Sequence, residues 1–175
     1  MKLKKLLALA LAGVLMLALL TGCSGDGNGE DRLVAEAIAD IFKRIYPNTE
    51  VSYGVPALTR TIRPAFTPDW FQKDGEGNII YLKSDFPIDA GLHLDDFLRG
   101  SLKAYEQSNY VSFIAFDSTG MSAREQAKKF SSGVPSVGVY DKGVSPGANT
   151  KLRVGVCHKT VEGLEYCLVV VVGTR

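Results

Sequence analysis

The sequence predicts a layered α+β fold, with helices gathered early and strands late. Three observations carry this. "EDRLVAEAIADIFKRIY" holds an apolar stripe at helical spacing, Ser122 and Glu125 have capping-box spacing between two strand-like segments, and Leu168–Val172 is an unbroken apolar run rich in valine. A run of that kind suits a strand covered on both faces, in the middle of a sheet.

The first stripe, Leu33, Val34, Ala37, Ile38, Ile41, Phe42 and Ile45, is closed by Pro47-Asn48. Pro56, Pro64 and Pro68 then punctuate "VPALTRTIRPAFTPDWF", leaving room for a short helix at most. "WFQKDGEGNIIYLKSDF" reads as two short strands around a glycine-rich turn. A second amphipathic helix begins near Asp95 and carries Phe97, Leu98, Leu102 and Tyr105. "NYVSFIAFDST" is a strand from about Tyr110 to Phe116, followed by a short helix bearing Ala123, Ala127 and Phe130. "PSVGVYDKG" is the next strand, and "VGVCHKTVEGLEYCLVVVV" reads as a hairpin turning at Glu162-Gly163. Val154, Val156, Leu168, Val170 and Val172 are the expected sheet core.

Ahead of all this, Lys2, Lys4 and Lys5 precede an apolar run from Leu6 to Leu20. A basic start and an apolar stretch too short for a comfortable span describe an export signal. The boundary Leu20-Thr21-Gly22-Cys23 resembles the bacterial lipobox. That resemblance implies a diacylglycerol thioether on Cys23, with cleavage just ahead of it and fatty chains such as palmitate holding the protein to the membrane. Gly25, Gly27 and Gly29 alternate with polar residues, a composition suited to a flexible leash. The expected organisation is a signal over residues 1–22, a tether over 23–31 and a single α+β domain over 32–175.

The chain has 20 basic and 19 acidic residues; removing three lysines with the signal leaves 17 against 19, a formal charge of −2. Near-neutrality argues against nucleic acid as a partner, since that needs a concentrated basic surface. Cys157 and Cys167 are the cysteines of the mature body, and an exported compartment permits a disulfide between them. A register pairing 157 with 167 sets them face to face; a shift of one residue puts two thiols on opposite faces.

Asp74, Glu76 and Asn78 alternate like the start of a calcium loop, but no bidentate acid follows at the right distance, so a hairpin turn is expected. Asp95-Asp96 beside His93 reads as a helix cap with a first-turn acid rather than a metal cluster, with His93 in a loop. His158 and Cys157 are strand neighbours that point to opposite faces, which excludes a nucleophile–base pair without a bend. No nucleophile elbow, zinc-protease, phosphate-loop or dinucleotide motif is present. The expectation is therefore no catalytic residue, no metal site and no cofactor.

From Asp31 onward the order of elements resembles the superfamily of cysteine-rich secretory, antigen 5 and pathogenesis-related proteins. The stretches that carry the likeness are "YVSFIAFDSTGMSAREQAKKF" and "LRVGVCHKTVEGLEYCLVVVVG". It implies a three-layer α-β-α sandwich around a mainly antiparallel sheet. That family's cavity holds two histidines and two glutamates. Here the first core strand reads Ile114-Ala115-Phe116-Asp117, without a glutamate, and neither His93 nor His158 matches a family histidine, so no site residue is carried over. The expected protein is a lipoprotein on the extracytoplasmic face of the cell membrane, with a non-catalytic domain for an envelope ligand or protein partner. The alternatives are an envelope-acting hydrolase with a carboxylate site and a structural component of an envelope complex.

Overall fold

The computed structural model describes residues 29–143 and 151–175. The signal, the lipobox with Cys23 and the first part of the tether lie outside the described residues. The first described element is helix α1, Gly29–Ile45, with Glu30 and Asp31 in its first turn and Lys43 and Arg44 in its last, each sign favoured by the helix dipole at that end. Gly29, Glu30 and Asp31 thus belong to the fold, although their glycine-rich neighbourhood reads as tether.

A short strand, β1 (Glu50–Tyr53), follows. The proline-punctuated segment forms a π-helical turn, Leu58–Ile62, continued by α2 (Arg63–Ala65) and a 3-10 turn at Pro68–Trp70. Strands β2 (Phe71–Lys73) and β3 (Ile79–Leu82) pair around the glycine-rich turn. There Asp74 Oδ1 accepts the backbone N–H of Glu76 and of Asn78, so the alternating polar residues close a turn. Strands β4 (Pro87–Asp89) and β5 (Leu92–His93) lead into helix α3, Leu94–Ser101. His93, not Asp95, occupies the N-cap; Asp95 lies in the first turn and accepts the N–H of Asp96.

The remaining elements are β6 (Tyr110–Asp117), α4 (Ala123–Ser131), β7 (Ser136–Asp141), β8 (Lys151–Val161) and β9 (Leu164–Thr174). The capping box is present at α4: Ser122 accepts the N–H of Glu125, and the Glu125 carboxylate accepts the N–H of Ser122. Five strands form one mixed sheet in the order β1-β8-β9-β6-β7. β1 runs parallel to β8, and the other pairs are antiparallel. The valine run is therefore the central strand, as its composition predicts.

Residue parity along β9 divides the core in two. Leu168, Val170 and Val172 face an aromatic cluster containing Phe66, Trp70, Phe71 and Phe113, while Cys167, Val169 and Val171 face Val34, Ile38 and Ala127 of α1 and α4. All five valines and leucines expected in the core are buried, split between these clusters. The aromatic side is built from edge-on contacts, such as Phe66–Trp70 at 5.3 Å and Trp70–Phe113 at 6.0 Å between ring centroids. Trp70 Nε1 is buried there with no hydrogen-bond acceptor among the described residues, a donor left unmade at a cost of about 1–3 kcal/mol. Ring packing outweighs it.

Two substitutions test this architecture. Val170 is fully buried. Val170→Asp should lower the unfolding free energy by about 5 kcal/mol or more, the order of a small domain's whole stability, and an unchanged melting temperature would place this face in solvent. At Gly155 an added Cβ would lie 2.7 Å from the Val55 Cβ. Gly155→Ala should then cost about 1–3 kcal/mol in chemical denaturation, through overpacking between β8 and the segment after β1.

A buried carboxylate, histidine and amide

The candidate functional site lies on the α1–α4 face of the sheet. Along β8, Leu152, Val154 and Val156 face that side, and His158 continues their parity. An imidazole thus lands under the helices, with its side chain only 5% exposed. Two helices bring partners to it. The first turn of α1 supplies Asp31, whose Oδ1 is 2.5 Å from His158 Nδ1. The capping box fixes the start of α4, and Gln126 just beyond it sets its Oε1 2.7 Å from His158 Nε2.

Gln126 is fully buried, and its own amide nitrogen is committed elsewhere. Nε2 donates to Glu30 Oε1 and to the Met121 carbonyl, each at 3.2 Å. One network therefore joins α1, α4, the loop before α4 and β8. Burial pulls the His158 pKa down, but the hydrogen bond and charge of Asp31, reinforced by Glu30 and Glu165, outweigh it and hold the pKa above histidine's ordinary value.

Cys167 is the direct cross-strand neighbour of His158 and shares its face. Carboxylate, histidine and thiol are thus brought to one place, the residue types of a nucleophilic triad. The geometry is not that of one. Gln126 holds the imidazole nitrogen that would activate a nucleophile, and the thiol is fully buried. Burial first, then the neighbouring Cys157 thiol and the carboxylates of Asp31, Glu165 and Glu30, raise the Cys167 pKa far above a free thiol's, so no thiolate forms near neutral pH. Cys157 faces the aromatic cluster instead, with its pKa pushed up to about 12 by burial and then by Asp31. The register pairs His158 with Cys167 and Cys157 with Leu168, so the two cysteines occupy opposite faces as free, buried thiols rather than the candidate disulfide.

His93 is exposed and does not approach this site, being paired with Pro87 in the small β4–β5 ladder. Among the described residues no group of three or more His, Cys, Asp or Glu side chains is placed to hold a metal ion. A separate cleft of about 370 Å3 opens between the Pro68–Lys73 segment and the β8–β9 turn. Phe71 and Tyr166 stack on its wall, and Asp69, Lys73, Lys83 and Glu162 bring both signs of charge to it.

No family model, curated protein or solved structure matches the chain.

The buried pair should matter far more to stability than an exposed one. Asp31→Ala leaves a buried imidazole without its counter-charge, and should cost about 3–5 kcal/mol at neutral pH. Glu36→Ala, which breaks the solvent-exposed Arg32–Glu36 pair, should leave the denaturation midpoint nearly unmoved. Equal effects in urea titrations would show that the Asp31 pair carries no special weight.

Proposed function

We propose that this chain is a lipid-anchored protein of the extracytoplasmic membrane face, whose folded domain binds a ligand or protein partner without catalysing a reaction on it. One observation carries the anchor: Leu20-Thr21-Gly22-Cys23 closes a basic-then-apolar start, and the first described helix, from Gly29, lies six positions beyond the cysteine. Six residues span at most about 20 Å, which bounds the distance between the proposed lipid and Gly29. The binding reading is supported by the state of the Asp31–His158–Cys167 group, which is sealed from solvent and holds a neutral thiol. It is also supported by the open cleft, whose lining includes Lys73, Lys83, Asp69 and Glu162 together with the stacked Phe71 and Tyr166. Such a lining suits a polar ligand carrying both charges, for example a peptide end with a nearby basic side chain.

The same proposal includes the finer architecture. With α1 and α4 covering one sheet face and the aromatic cluster, α2 and α3 the other, the domain reads as a three-layer α-β-α sandwich. The likeness to the cysteine-rich secretory, antigen 5 and pathogenesis-related superfamily supports this layering and lends no functional residue.

Expression of Cys23→Ala in a bacterial host checks the anchor. The wild type should fractionate with membranes and carry the lipid mass on an N-terminal Cys23. The variant should lose that mass. A wild-type protein whose mass matches the uncut chain, held in the membrane through Leu6–Leu20, would overturn lipid anchoring.

A further inference from the structure

The Asp31–His158–Gln126 network is satisfied in only one proton count. The orientation of the Gln126 amide is set from outside the histidine, because Glu30 Oε1 and the Met121 carbonyl are acceptors and require its Nε2 between them. Its Oε1 then faces His158 Nε2, which must carry a proton to donate. On the other edge of the ring Nδ1 meets Asp31 Oδ1 at 2.5 Å, and that contact also needs a proton between its atoms. Remove one proton and two acceptors confront each other: at Asp31 if Nε2–H is kept, at Gln126 if the other tautomer forms. Turning the amide over repairs the second case only by pointing its oxygen at Glu30 and Met121. No deprotonated arrangement of these side chains keeps all the bonds.

The charged groups around the imidazole are known from each packed element. α1 contributes Asp31 and Glu30, and β9 contributes Glu165 and the un-ionised Cys167. α4 contributes the uncharged Gln126, while its Lys129 turns away to donate to the Asp117 carbonyl beside the Phe116 ring. On β8 the neighbours Cys157 and Lys159 face the opposite side, where Lys159 donates to the Pro64 and Phe66 carbonyls. Apart from burial, the groups acting on the ring are acidic, and they favour its protonated form.

We propose that this contact is a proton-operated latch on the first turn of α1, closed while the Asp31–His158 pair holds its proton and open when that proton is lost. Opening breaks the tie of Asp31 to β8 and so weakens the hold on the turn that begins at Gly29, which the Glu30–Gln126 bond still links to the network, while Val34 and Ile38 keep the rest of the helix seated on the sheet. Gly29 is the first described residue and stands six positions after Cys23. If Cys23 carries the proposed lipid, fraying of this turn would add up to about one helical turn of chain between the lipid and the seated part of α1, letting the domain stand farther from the membrane at alkaline external pH. The latch itself does not depend on the anchor.

The direction of the pH dependence follows from linkage. The folded pKa of His158 lies above its ordinary value of 6.5, so the latch is fully closed below that value and is lost as pH rises through the higher, folded one. The full-length protein, purified from membranes and reconstituted in nanodiscs, provides the test. Histidine nitrogen resonances would give the His158 midpoint, with assignment by substitution of the exposed His93. Hydrogen exchange of the peptide spanning residues 29–33, corrected for intrinsic base catalysis, would report the first turn. Protection there should fall as His158 deprotonates, by about tenfold for each unit by which its midpoint exceeds the ordinary value. His158→Gln should abolish this pH dependence. Unchanged protection across the His158 titration, or a pH response that survives in His158→Gln, would overturn the latch. The intact mass of the same sample reports the lipid separately: a missing lipid mass removes the anchor reading and leaves the latch result standing.

Discussion

A central strand buried along both faces is the constraint on which the rest of this structure depends. From Tyr166 to Val172 the side chains of β9 are all buried, alternately on one side and the other. Apolar area of that extent stabilises a fold only when both faces are covered, at roughly 25 cal/mol for each Å2 removed from water. The chain meets this with unlike materials. On one side α1 and α4 present aliphatic stripes, brought together by Phe42 against Phe130 at 6.0 Å between centroids. On the other a proline-broken segment, unable to sustain a long helix, packs large rings into the space an aliphatic helix would otherwise fill.

Covering the helical face creates the demand that the polar network answers. His158 lies on that face because of its parity, and an imidazole shut away from water requires partners at both nitrogens. Those partners come from residues 31 and 126, far from 158 in sequence. Neither helix makes the network alone; it forms only when both helices are seated at the correct height. Glu30 couples them further, since it belongs to α1 yet orients the amide of α4. The network therefore fixes the register of two helices against the sheet, a task that interchangeable aliphatic contacts perform poorly.

Much of this is legible in the sequence, for reasons particular to each element. The valine run announces a central strand, Ser122 and Glu125 announce the start of α4, and Glu162-Gly163 announces the hairpin turn. β1 is not legible: four residues between a helix and a proline carry too little pattern, and the parallel pairing with β8 comes from tertiary packing. Asp31 reads as tether because glycines precede it, although an acid directly before a helical stripe is also what a helix first turn favours. His158 offers a usable signal, since Leu152, Val154 and Val156 mark the buried parity of its strand. Gln126 offers none, because nothing local distinguishes a buried glutamine from an exposed one on a polar helix.

The fate of both cysteines and of the histidine is decided by one turn. Glu162 and Gly163 adopt φ of +52° and +82°, the two left-handed positions of a two-residue hairpin loop, and this makes Val161 and Leu164 the last pair of the ladder. Counting back from there sets His158 opposite Cys167. A loop one residue longer would set Cys157 opposite Cys167 instead, making a cross-strand disulfide accessible. The same slip would reverse the parity of β8 relative to β9. His158 would then lie among the rings of the aromatic cluster, away from Asp31 and Gln126, and Val154 and Val156 would leave the helices they now meet. A disulfide in this hairpin and the buried Asp31–His158 pair are therefore mutually exclusive outcomes of the same sequence. A glutamate held at positive φ, where glycine or asparagine is the usual choice, shows which of the two the surrounding packing enforces.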